Sequence, residues 1–224
     1  MAIVINEKQN IFTLQTQSST YQMEVDSKGV LLHTYYGKHV HPESLAHLIY
    51  QSDVGFSGNP PEANGDRSYS LDCLPQEIPS SGVGDYREDM VRLTHADGST
   101  AADFRFVSYE ILNHACPLPG MPAVYATKEE PGETLIVTMR ETASQVMVKL
   151  IYGVFEKQNV ITRSVRIENH GKTPVVLEKA LSCSLDFQFG KYDMIYFAGR
   201  HAMERTMERT PVGRAKLSIG SLRG

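Results

Sequence analysis

Apolar and polar positions along this chain of 224 residues alternate at period two far more often than they recur at helical spacing. Val146, Val148, Leu150, Tyr152 and Val154 keep the alternation long enough to predict a half-buried strand. Glu156-Lys157-Gln158-Asn159 then makes a turn, and Ile161, Val165 and Ile167 line one face of the following strand, with Arg163 interrupting it. Earlier, β-rich runs at 11–16 and 20–25 flank a turn at Gln17-Ser18-Ser19. Asp26-Ser27-Lys28-Gly29 turns again into 30–36, which predicts an antiparallel meander near the start. Further strands are expected at 104–112, 134–140 and 193–198, and a long run at 175–189 that bends or bulges midway. Helix signals are few. Residues 42–49 suit a short helix with Pro42 at an early position, and 201–205 a single turn.

So sheet-rich a chain with regular turns predicts an all-β fold: two antiparallel sheets packed face to face, few short helices, and one domain over residues 1–224. Hydrophobic content of 41% and charged content of 21% give enough apolar material for a sizeable core. The net charge of −4 is spread without a basic patch, which argues against nucleic acid as a partner. No apolar run reaches the length of a membrane span, and the first residues lack the basic start and apolar stretch of a signal peptide. Cys73, Cys116 and Cys183 are isolated thiols with no CxxC pair, a pattern that fits a reducing, cytoplasmic setting. No cofactor is expected.

Residues 64–88 read NGDRSYSLDCLPQEIPSSGVGDYRE. Pro and Gly rule out one regular element there. Yet Tyr69, Leu71, Leu74, Ile78 and Tyr86 alternate with Asp66, Arg67, Asp72, Glu77, Asp85, Arg87 and Glu88. That pattern describes an ordered loop pinned to a scaffold, and such loops often carry function. Within it, SLDCLPQEIPSSGVGDYRE resembles a loop in the N-terminal domain of α-galactosidases of glycoside hydrolase family 36. DVGFSGNP (53–60) before it and FAGRHAMERT (197–206) after it stand in the order that family shows.

The resemblance implies a β-supersandwich of the galactose-mutarotase kind, and YGVFEKQNVITRSVRIENHG is similar to a strand pair of such folds. It implies a retaining hydrolase of terminal α-galactosyl residues, of the melibiose and raffinose type. The two carboxylates needed for that chemistry lie, in this family, on a (β/α)₈ barrel. They occupy a KWD-type and a CDGSGG-like motif, and neither motif occurs here. A barrel takes roughly 250 residues. The closing LSIGSLRG is similar to the family's link towards it. The expectation is an N-terminal domain without catalytic residues of its own. It would support a homo-oligomer, a tetramer in the parent enzyme, and shape the active-site entrance. Without its docking partner, the loop at 64–88 is expected to lose order first.

Two residues carry the expected contact with an α-galactoside. By the resemblance, Asp53 and Arg67 line the sugar pocket of a neighbouring subunit. A carboxylate accepts charge-assisted hydrogen bonds from hydroxyls, and a guanidinium donates them. The plainer readings stand beside these: Asp53 caps its own turn, and Arg67 pairs with Asp66 or Asp72. Asp72, Glu77, Asp85 and Arg87 are expected to hold the loop in shape or to dock it on the barrel. Arg200, His201, Glu204 and Arg205 suit an interdomain surface. His39 and His41, at i and i+2, would face one way on a strand, but no third ligand at a useful spacing makes a metal site. Two other classes compete. A free-standing carbohydrate-binding module would favour Trp platforms, and the chain has no Trp. An aldose epimerase would need a His acid and a carboxylate base, and His114 and His170 both sit beside turns.

Overall fold

The computed structural model describes residues 2–55, 58–121, 124–187 and 189–220. Phe56 and Ser57 of the Gly/Pro-rich tip, Gln188 of the long run at 175–189, and 221–224 of the closing segment lie outside them. The described residues divide into two compact units, Met1–Asp186 and Phe187–Gly224.

In the first unit, β1 (Ile3–Asn6), β2 (Ile11–Gln15), β3 (Ser19–Val25) and β4 (Leu31–Lys38) form an antiparallel meander in sequence order. Its turns fall where the polar clusters stand. At Asp26–Gly29 the Asp26 carboxylate accepts from the Lys28 and Val30 amides, and Gly29 takes the left-handed conformation (φ 80°) that the turn requires. The strand β5 (Val91–Thr94) pairs with β10 (Val176–Ala180) in a two-stranded ladder. Between them in sequence, β6 (Phe104–Leu112), β7 (Glu133–Glu141), β8 (Val146–Phe155) and β9 (Val160–Asn169) make a second four-stranded antiparallel sheet.

One hydrophobic cluster takes side chains from both large sheets: Phe12, Leu14, Tyr21, Met23 and Leu31 from the first, and Leu135, Val137, Val148, Leu150 and Val154 from the second. The Phe12 ring meets Tyr109 edge-on at 5.3 Å. Fully burying one such aliphatic side chain contributes about 1.5–3 kcal/mol, so this cluster is the main source of stability. Register explains who faces in. Val148, Leu150 and Val154 lie opposite Ile167, Val165 and Ile161, and Tyr152 lies opposite Arg163. The interrupting arginine therefore occupies an inward position of the core sheet.

The expected elements are corrected in three places. Residues 42–49 give only a 3₁₀ turn, Ala46–Leu48. The Gln22 side chain on β3 holds the Glu43 carbonyl and the Leu45 amide, so that backbone is pinned to the sheet before a helix can start. The run at 175–189 is a strand only over Val176–Ala180. Beyond it the Leu181 amide bonds to the Met90 carbonyl, and the Ser184 carbonyl accepts from Arg163 instead of from a ladder. In the second unit, β11 (Asp193–Arg200) and β12 (Met203–Pro211) form a hairpin. The expected turn at 201–205 is thus its two-residue tip followed by strand, with Ala202 and Arg205 at positive φ. A second 3₁₀ turn, Pro61–Ala63, precedes the loop at 64–88.

Candidate functional site

The segment from Asp53 to Arg67 folds back on itself. The Val54 amide donates to the Arg67 carbonyl at 3.1 Å, and the Asn59 side chain donates to the Asp66 carbonyl at 2.9 Å. Pro60 enters the 3₁₀ turn in extended conformation, and Asn64 leaves it in the left-handed region, a reversal that Asn tolerates. Asp66 closes the turn by accepting from both the Ser68 amide and the Ser68 hydroxyl. Those bonds hold its carboxyl below the ordinary carboxylate value.

This path brings the two expected sugar ligands together. Arg67 Nη2 lies 2.9 Å from Asp53 Oδ1, and both side chains are 62% exposed. The same Asp53 oxygen accepts from the Gly55 amide at 2.9 Å. The turn-capping role of Asp53 is therefore real, whatever else it does. Arg67 pairs with Asp53 rather than with Asp66 or Asp72. An ion pair this exposed contributes about 0–1 kcal/mol to folding, so stability does not account for it. Chemically it offers an acceptor and a donor side by side to a polyhydroxylated ligand.

The loop beyond Arg67 is anchored from within. Arg87 bonds Asp85 through Nε and Nη2, the Leu71 and Leu74 carbonyls through Nη2, and Asp186 through Nη1 at 2.8 Å. Asp72 accepts from the Tyr86 amide, and the Gln76 side chain donates to Asp85. Backbone bonds from His33 to Pro75 and from Glu77 to Leu31 lay the loop along the outer edge of β4. Asp72, Asp85 and Arg87 thus hold the loop in shape. These anchors lie within the loop's own compact unit, and amide hydrogen exchange decides whether the loop is the first part to lose order.

Glu77 does something that sequence reading did not foresee. It is completely buried and accepts from the hydroxyls of Tyr21 and Tyr152. His33 Nδ1 lies 3.1 Å from one of its oxygens, and Arg163 Nη1 lies 2.8 Å from the other. Arg163 Nη2 also donates to the Glu77 carbonyl, and its guanidinium lies over the Tyr152 ring at 5.2 Å. Burial alone would raise the Glu77 pKa. The Arg163 charge and the bonds from His33 and Tyr21 outweigh it and hold the carboxyl below its ordinary value of 4.5. The Tyr21 and Tyr152 hydroxyls, buried beside that carboxylate, are pushed well above theirs. The signal available in the sequence was Arg163 itself, a cation on an otherwise apolar face. Its partner was not readable, because Glu77 lies 86 residues away in a loop.

The histidines separate. His39 Nδ1 meets the Thr16 carbonyl at 2.9 Å, and His41 pairs loosely with Glu43 at the surface. His170 meets Glu168, and the His114 carbonyl accepts from Thr134. Among the described residues no group of three His, Cys, Asp or Glu side chains is placed to hold a metal ion.

Fold and site together define an all-β sandwich domain with a polar loop tied along one sheet edge. Residues 29–224 match the glycosyl hydrolase family 36 N-terminal domain, and the chain belongs to that family. It is similar to the bifunctional α-galactosidase/sucrose kinase AgaSK of Mediterraneibacter gnavus, at 48% identity over 224 residues, which is 100% of this chain and 24% of that protein. It is also similar to α-galactosidase AgaA of Geobacillus stearothermophilus, at 36% identity over 100% of this chain and 30% of that one. The solved galactosidase domain of AgaSK superposes with a TM-score of 0.90 at 48% identity, over 95% of this chain and 29% of that one. The chain thus spans under a third of the length of these relatives.

Proposed function

We propose that this chain is the N-terminal, non-catalytic domain of a cytoplasmic α-galactosidase that removes terminal α-galactosyl residues from oligosaccharides with retention. It supports a homo-oligomer and shapes the entrance of a neighbouring subunit's active site, where Asp53 and Arg67 face the sugar. The observation that carries this reading is the match along the whole chain to α-galactosidases at up to 48% identity. The exposed Asp53–Arg67 pair supports its finer part, since an ion pair this exposed adds little to folding and leaves both groups open to solvent. Retaining hydrolysis needs two carboxylates flanking the scissile bond, one of them a nucleophile. The domain leaves that chemistry to the rest of the parent protein.

Hydrolysis of p-nitrophenyl α-galactoside tests the proposal. The full-length protein is expected to turn it over, and the 224-residue chain alone is expected to show none. Turnover by the purified chain that disappears on Asp53→Ala would mean that the domain is itself catalytic.

A further inference from the structure

Asp53 and Arg67 meet in solvent, and an ion pair this exposed does not hold its own backbone in place. A short strut, residues 58–63, does part of that work. The Asn59 side chain donates to the carbonyl of Asp66, the residue before Arg67, at 2.9 Å. Pro60 and Pro61 follow Asn59, so the backbone has few conformations open to it there. Pro60 is extended (φ −64°, ψ 150°) and Pro61 opens the 3₁₀ turn. At the far end Ala63 is buried in a cluster with Tyr69, Leu71 and Leu74, against which Val83 also packs.

The near end of the strut rests on Gly84. A Cβ on Gly84 would collide with the Gly58 carbonyl oxygen and lie 3.1 Å from its carbon. Gly84 is also at φ 87°, where any side chain is strained. So close an approach is open only to bare backbone. The residues after Gly84 are fixed in turn: Gln76 and Arg87 bond Asp85, and Asp72 accepts from the Tyr86 amide. A line of tight contacts thus runs from Gly84 through Gly58 and Asn59 to Asp66 and Arg67. The Val54 amide, next to Asp53, joins it at the Arg67 carbonyl. Gly82 offers a contrast. It too has a positive φ (83°), but the nearest neighbours of a Cβ there all belong to Ala101, at 2.6 Å.

Loop side chains that reach a substrate lose affinity unless their backbone is ordered beforehand. We infer that Gly84 and Asn59 are positioning residues. They hold Asp53 and Arg67 in the arrangement that meets a galactosyl hydroxyl, without touching the sugar themselves. The inference rests on the sugar-facing reading of that pair given above, and adds to it the contacts that set the pair's geometry.

Kinetics of the full-length protein on p-nitrophenyl α-galactoside provide the test, at a temperature where every variant stays folded. Asn59→Ala removes the donor to the Asp66 carbonyl and is expected to raise KM about five-fold, with kcat within about two-fold of wild type. Asn59→Asp keeps the shape without the donor and should behave in the same way. Gly84→Ala should raise KM about ten-fold. Gly82→Ala should leave KM unchanged, although both glycine variants lower thermal stability. In a protein already carrying Asp53→Ala and Arg67→Ala, Asn59→Ala should add nothing to KM, because the pair it positions is gone. A merely structural role would add its effect in full. Wild-type KM in both Asn59 variants, or full additivity in that background, would overturn the positioning role and leave the α-galactosidase reading standing. Wild-type kinetics in Asp53→Ala with Arg67→Ala, or a full-length protein that hydrolyses no α-galactoside, would overturn the reading of the pair and the positioning role with it.

Discussion

Asp53 holds an amide and a guanidinium at once, yet remains mostly in solvent. If it bonds a galactose hydroxyl in the full-length enzyme, Asp53→Ala should lower kcat/KM by about ten- to a hundred-fold, matching a lost charge-assisted bond of roughly 1.5–3 kcal/mol. Thermal stability should barely move, because the ion pair contributes little. Asp53→Asn should recover part of the activity, since an amide keeps one acceptor. Unaltered kinetics in Asp53→Ala would reduce the residue to a turn cap. Glu77 presents the opposite case. Glu77→Gln keeps the shape but leaves Arg163 buried without its counter-ion, a loss of about 3–5 kcal/mol by denaturant unfolding. Adding Arg163→Met should restore most of it. The sign of the pH dependence follows from the lowered folded pKa. The contribution of Glu77 is full above its ordinary value of 4.5 and is lost as pH falls below that. Wild type should therefore weaken in acid more than the double variant does. A Glu77→Gln protein as stable as wild type would remove the network from the account of stability. At this scale sequence reading named Asp53 and Arg67 but could not see that they meet. Contact between residues fourteen apart in a loop depends on turns that no period reports.

Strands were legible wherever apolar residues alternate against polar ones, as along β8, because a sheet with one buried face imposes that period. The short strands β1 and β5 offer only four residues each, too few for a period to show. The missing helix at 42–49 and the shortened strand after Ala180 share one cause: a distant side chain, Gln22 or Arg163, takes the backbone groups that regular structure would use. The same logic governs the loop at 64–88, and amide hydrogen exchange can check it. The amides of His33 and Glu77 cross-link loop and β4, that of Leu74 closes a turn onto the Ser70 carbonyl, and that of Met90 bonds to the Pro79 carbonyl of the loop. These four should exchange nearly as slowly as the core strands. Exposed amides such as Gly55 and Ser68, held only by neighbouring carboxylates, should exchange fast. Rapid exchange at all of them in the 224-residue chain would mean that the loop needs an outside partner after all.

For the molecule as a whole, fold class was the easiest property to read, since it needs only the sum of many strand signals and errors at single boundaries cancel. The family came from a different source, a particular order of residues in SLDCLPQEIPSSGVGDYRE that no periodicity explains. Part of that order now has a physical reason. Glu77 is the hub of the buried network, Gly82 and Gly84 turn where side chains do not fit, and Asp85 and Arg87 fasten the loop. Glu77 also bears on how the protein is made. Arg163 follows it by 86 residues, so at roughly 5–20 residues per second the ribosome leaves an interval of about 4–17 s between the two. During that time the meander, with Tyr21, and its edge loop cannot close over a bare carboxylate without a large desolvation cost. The nascent chain must keep this junction wet, and the arrival of one arginine is the event that lets the two sheets seal.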